Sequence, residues 1–146
     1  MSKVKNLISG LAGAIALNIL HETLKKEKSN VPRIDLLGEE ALQKTLRHFG
    51  TSIDQKKDLY KATLAGDVLS NTFYYSLIGA GNPAYLWPRA IFLGLSAGIG
   101  AVKLPEPMGL NPEPVAKTDQ VKVLTVGYYV FGAVVTALAL KLLSNK

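Results

Sequence analysis

Four stretches of the chain carry no charge, Asn6 to His21, Val68 to Pro88, Ala90 to Val102 and Val123 to Leu140, whereas Glu22 to Asp67 mixes charged and apolar positions throughout. Two of the runs hold 18 or more residues and the other two reach about 19 once a terminal charge is admitted, which suits a hydrocarbon core of about 30 Å. The pattern predicts an all-α, polytopic membrane protein: a four-transmembrane-helix bundle forming a single integral membrane domain over 1–146, with helices over about 6–25, 54–80, 84–104 and 120–143. Four such runs leave too few amphipathic surfaces for a water-soluble fold.

Along the chain, Lys3 and Lys5 precede the apolar run Leu7 to Leu20 in the manner of a secretory signal, but no small-x-small cleavage site follows, so this run is expected to remain as the first helix. Gly10, Gly13 and Ala14 give it a surface of small residues that a second helix can approach. The segment from Lys26 to Asp58 is too charged to span. Within it, Val31-Pro32 breaks regular structure, and Asp35 is placed to cap an amphipathic helix over about 35–49. Leu36, Leu37, Ala41, Leu42, Leu46 and Phe49 fall on one side of that helix and Glu39, Glu40, Lys44 and Arg47 on the other, a division that suits a helix lying on the membrane surface or folded back under the bundle with its apolar side buried. Gly50 ends it, and Ser52-Ile53-Asp54-Gln55 reads as a capping box that starts the next helix near Asp54.

That second spanning helix carries a polar stripe. At about 100° per residue, Tyr60, Thr63, Asp67, Ser70, Asn71 and Tyr74 share a third of its circumference. Gly81-Asn82-Pro83 then makes a tight turn into the third helix, with Tyr85, Trp87 and Arg89 as interfacial anchors and Gly94 and Gly98 as a packing pair. Leu104 to Gln120 contains Pro-Glu-Pro twice and cannot be helical throughout. Thr118 or Asp119 caps the fourth helix, in which Gly127, Gly132 and Ala133 are expected packing positions.

Charge sharpens the picture in two ways. The formal net charge is +6, yet Glu22 to Asp67 holds nine Lys/Arg against eight Asp/Glu, so the chain offers a solvated or membrane-surface segment and no phosphate track; nucleic acid is not an expected partner. The first and third connections hold twelve basic residues and the opposite side five: Lys3, Lys5, Arg89, Lys141 and Lys146. The positive-inside rule then predicts a multi-pass topology with the long first connection cytoplasmic and both termini outside. The chain has no cysteine, which excludes thiolate chemistry and disulfides.

Depth and helical phase bring the polar positions together. Asn18, His21 and Glu22 near the end of the first helix match the level of Asp67, Ser70, Asn71 and Tyr74 in the second. These seven form a predicted intramembrane polar cluster, with Arg33, Asp35 and Lys103 at its mouth. His21, Glu22 and Asp67 are the candidate catalytic groups. No metal or cofactor is expected: His21-Glu22 is not followed by the second histidine of a His-Glu-x-x-His pair, and di-iron carboxylate spacing is absent. Ser70 or Ser76 with His21 and Asp67 would compose a hydrolase triad, but no Gly-x-Ser-x-Gly elbow supports it.

Three functions remain. The cluster holds helices together in a small integral membrane protein that serves as a structural or partner-binding bundle. It carries protons, ions or small solutes, for which a homodimer would be needed. Or it performs acid/base chemistry on a lipid or isoprenoid substrate. The partners implied are the lipid bilayer, a second copy of the chain and a lipid-like ligand.

Overall fold

The computed structural model describes Ser2 to Asn145, so Lys146, counted above for charge asymmetry, lies outside the described residues. Within them the protein is all-α: α1 (Lys3–Glu27), α2 (Ile34–His48), α3 (Lys56–Ser76), α4 (Leu86–Lys103), α5 (Glu113–Ala116) and α6 (Asp119–Ser144), with single 3-10 turns at Leu77–Gly79 and Pro83–Tyr85. Three helical segments are long and apolar enough to cross a membrane, Lys3–Glu27, Pro83–Lys103 and Asp119–Ser144. Helix α3 is not among them: Lys56, Lys57, Asp58 and Lys61 crowd its first half, and Asp67, Ser70 and Asn71 follow in its second.

The four long helices α1, α3, α4 and α6 pack in the order α3–α1–α6–α4. Small residues set this order. A side chain at Gly10 would strike the Thr72 carbonyl and the backbone of Ser76 on α3, and one at Gly13 would strike Thr136 and the Gly132 carbonyl on α6. Helix α1 therefore nests between two neighbours at backbone distance. On the other side of α6, a Cβ at Gly94 would lie 2.9 Å from Ala133 Cβ and one at Gly98 would lie 2.6 Å from Val126 Cα. Gly132 and Ala133 serve as packing positions, but Gly127 does not: it has nothing near a built Cβ.

The buried core runs along these contacts through Ala14, Leu17, Tyr75, Ile78, Ala133 and Leu140. Tyr75 is fully enclosed and its hydroxyl donates to the Tyr129 carbonyl at 2.8 Å. A satisfied buried phenol of this kind stabilises by about 1 kcal/mol net, and costs more than that if its partner is removed.

Helices α3 and α4 are joined by the turn at Gly81 (φ +99°), whose left-handed backbone glycine adopts without a Cβ penalty. Arg89 closes the turn by donating to the carbonyls of Ile78 (2.7 Å) and Asn82 (3.3 Å). Beyond that end the two helices barely touch; Tyr74 bridges them through a 2.7 Å bond to the Leu93 carbonyl. The result is a cleft between α3 and α4, floored in part by Tyr129 of α6 and covered at its far end by α2 and the segment after α4. That segment is tied to α2: Asn111 N–H donates to Glu40, Arg33 N–H donates to the Pro114 carbonyl at 2.8 Å, and Lys44 donates to the Gly109 carbonyl.

Two helix starts differ from the sequence expectation. Asp35 does not cap α2; Arg33 stands at the cap position, and its side chain makes no capping bond to the helix backbone. The capping box at Ser52 does not form, and α3 starts at Lys56. Instead Gln43 of α2 clamps Ile53, accepting from its N–H at 2.9 Å and donating to its carbonyl at 2.7 Å, which holds the approach to α3 extended. At α6 the expected cap is present: Thr118 Oγ1 accepts from Val121 N–H at 3.1 Å.

Candidate functional site

The last turns of α1 carry Asn18, His21, Glu22 and Lys25 on one stripe, and α2 begins directly against it. The first N–H of α2 has no partner within its own helix. His21 supplies it: Nε2 accepts from Ile34 N–H at 3.1 Å. In that bond Nε2 is the acceptor, while Nδ1 stands 3.6 Å from Glu22 Oε1. The ring is buried and packs edge-on to Tyr128 at 6.3 Å between centroids.

Asp35, in the first turn of α2, collects the cations around that cap. Its Oδ1 accepts from Arg33 Nε at 3.0 Å and its Oδ2 from Arg33 Nη2 at 2.9 Å and Lys25 Nζ at 3.3 Å, while His21 Nε2 stands 3.4 Å from Oδ1. Burial alone would raise its pKa, but the contacts of His21 and Arg33 outweigh burial and hold the carboxyl well below the usual carboxylate range. Asp35 in turn raises Arg33.

Glu22 links α1 to α3. Its Oε1 accepts from the Tyr60 hydroxyl at 2.6 Å and its Oε2 pairs with Lys25 at 2.9 Å, while the Lys25 ammonium sits 4.9 Å from the centre of the Tyr60 ring. Three helices, α1, α2 and α3, thus converge on one ionic network.

Beneath the network lies a polar cavity of about 20 Å³, lined by Asn18, His21, Glu22, Tyr60, Asp67 and Asn71 among others, room for about one water. Asn18 gives its amide protons to the Ala14 carbonyl of its own helix at 2.9 Å. Beside it opens the α3/α4 cleft, of about 450 Å³ and apolar over most of its wall: Leu37 and Ala41 from α2, Ala97 and Ala101 from α4, Leu104 and Met108 beyond it. Ile34 and Asp67 border both spaces.

Asp67 is therefore the partition between a water-sized polar cavity and a ligand-sized apolar cleft. Among the described residues its carboxylate makes no hydrogen bond or ion pair. It rests on Gly38 of α2, where a built Cβ would lie 3.5 Å from both carboxylate oxygens and 2.7 Å from Thr63 Cγ2. Gly38 is what lets α2 come down onto α3 at this point.

Of the seven residues expected in the cluster, Asn18, His21, Glu22, Asp67 and Asn71 line the small cavity and Tyr74 lines the cleft. Ser70 does not join them. It lies at the edge of the stripe that turns toward exposed Leu69 and Phe73, and is itself exposed. Ser76, the other triad candidate, donates to the Phe73 carbonyl at 2.6 Å. Arg33 and Asp35 stand at the mouth, but Lys103 points elsewhere, into a groove between α4 and α6. Lys25 holds the place assigned to it. The i, i+3 spacing of Glu22 and Lys25 signals that pair, and Tyr60, two helical turns before Asp67, belongs to the polar stripe; Gly38 left no sequence signal.

Fold and site together define an all-α protein with three helices suited to a membrane and an ionisable group at the boundary of an apolar cleft. No family model, curated protein or solved structure matches the chain, so the functional reading rests on this geometry.

Proposed function

We propose that the protein is a multi-pass integral membrane protein in which α1, α3, α4 and α6 cross the bilayer as a four-helix bundle, and that the α3/α4 cleft binds a lipid-like molecule. Helix α2 lies at the cytoplasmic face, in keeping with the excess of basic residues in the connections on that side. The polar network is divided between two tasks. His21, Glu22, Lys25, Arg33, Asp35 and Tyr60 satisfy one another and fasten α2 to α1 and α3, which is the structural role. Asp67 is left over, and it faces the ligand.

The observation that carries the reading is an unpaired carboxylate in the wall of an otherwise apolar cleft of ligand size. A carboxylate at such depth needs a proton, water or a partner. A ligand whose hydrocarbon part fills the cleft and whose polar end donates a hydrogen bond, a hydroxyl or an amine, supplies that partner. The test is lipid extraction and mass spectrometry of protein purified in mild detergent. A stoichiometric lipid in the wild type should be lost from Ala97→Trp, which fills the cleft, and from Asp67→Leu, which removes the acceptor. An identical lipid complement in all three proteins would overturn the reading.

One observation favours chemistry on that ligand as a second reading: Asp67 also borders the water-sized cavity, so a proton can pass between a bound hydroxyl and a single water. Asp67→Asn would then keep the lipid and lose its conversion. A conduit through one subunit is less well supported, because Tyr75, Ile78 and Ala133 lie beyond Asp67 at zero exposure. Transport would draw on a homodimer.

A further inference from the structure

Outside the Asp67 site, an apolar groove of about 520 Å³ lies between α4 and α6, walled by Leu95, Ile99 and Val102 on one side and Val123, Val126 and Val130 on the other. Two features make it more than a seam. The helices cross closely at Gly94 and Gly98, and Gly127 beside that crossing carries no side chain and has open space over it, so the groove has depth where a chain of methylenes could lie. At one end it is lined by two lysines, Lys103 from the last turn of α4 and Lys122 from the first turn of α6. Among the described residues, the single anion paired with either lysine is the fully exposed Asp119, 3.9 Å from Lys122, too loosely held to neutralise the two.

We propose that this groove is a site for an anionic phospholipid, with one acyl chain along Gly127 and the phosphate between Lys103 and Lys122. The proposal rests on the membrane location argued above but not on the cleft ligand. Charge complementarity selects the occupant: an apolar trough ending in two cations at the membrane face fits a lipid with a negatively charged head, and a zwitterionic lipid gains far less from the same lysines. A second protein helix would have to bury both ammonium groups against its own backbone.

Native mass spectrometry of the detergent-purified full chain, titrated with an equimolar mixture of phosphatidylglycerol and phosphatidylcholine of matched chains, tests it. Recovery of the protein from the membrane fraction reports separately on the location. Phosphatidylglycerol adducts should exceed phosphatidylcholine adducts by at least about fivefold, the contribution of one lysine at an anionic surface. The preference should fall close to one in Lys103→Gln/Lys122→Gln and persist in Lys56→Gln/Lys57→Gln, which removes the same charge from α3. Gly127→Leu, whose Cβ meets no neighbour, should weaken retention of the adduct. Equal binding of the two lipids, a preference that survives loss of both lysines, or adducts indifferent to Gly127→Leu would each overturn the assignment. A wild type absent from membranes would instead remove the ground beneath both proposals.

Discussion

Asp35→Asn isolates the contribution of the ionic network to holding α2 on the other helices. The substitution keeps shape and removes charge, turning an amide N–H₂ toward two cations. Breaking a fully buried ion pair costs about 3–5 kcal/mol. Here the cost is smaller for two reasons. The Arg33 side chain is 40% exposed and can rehydrate, and Lys25, though only 16% exposed, keeps Glu22 at 2.9 Å. The His21 cap on Ile34 survives, since it does not need the carboxylate. A loss of about 2 kcal/mol remains, borne locally by α2.

Hydrogen exchange read by mass spectrometry on the protein in lipid nanodiscs measures it. Amides of 34–48 should open about 30-fold more often in the variant while those of α6 stay protected. The pH dependence has a definite sign. Because the folded carboxyl titrates below its unfolded value of about 4, the folded state binds fewer protons, so its contribution is full above about pH 4 and is lost as pH falls toward the depressed folded value. The difference between wild type and variant should be constant from about pH 5 to 8 and shrink in stronger acid. Unchanged protection of α2, or loss spread evenly over all helices, would refute the reasoning.

Glycines provide two further checks. Gly98→Ala drives a methyl to 2.6 Å from Val126 Cα, where backbone must yield, so it should lower the thermal midpoint by an amount equivalent to about 1–3 kcal/mol; Gly127→Ala, with open space above it, should be neutral or raise it by up to about 1 kcal/mol through helix propensity. A similar response at both positions would contradict the α4/α6 crossing. Gly38→Ala presses on Thr63 and lifts α2 from Asp67; it should cost about 1–3 kcal/mol and raise exchange in α2 without altering α4 or α6. If α2 exchange is unaffected, α2 does not bear on α3 at this point.

How far the fold can be read in the sequence depends on whether a signal is local. Thr118 caps α6 because that end is exposed and nothing competes for Val121 N–H. Asp35 and Ser52 carry equally good cap signals, yet neither caps. At α2 the donor is taken by His21, 13 residues earlier on another helix, and at the entry to α3 the backbone is taken by Gln43. Gly94 and Gly98 were legible as a packing pair, whereas Gly127 belongs to the same residue class and faces open space; a glycine pattern states where a helix can approach and leaves unstated which face it uses. Lys103 shows the same limit in charge, since helical depth put it at the right level and only the azimuth of α4 turns it away from Asp67.

Depth and phase nevertheless carry enough to bring His21, Glu22 and Asp67 to one place, and what separates the three is saturation. The His21 Nε2 lone pair is engaged by Ile34 N–H, and both oxygens of Glu22 are held by Tyr60 and Lys25. Taking either group for chemistry would first undo the joint between α1, α2 and α3. Asp67 has no such obligation: Gly38 gives it space and no hydrogen bond, and two cavities meet at its carboxylate. Of the three, Asp67 is the group whose engagement with a ligand costs the fold least.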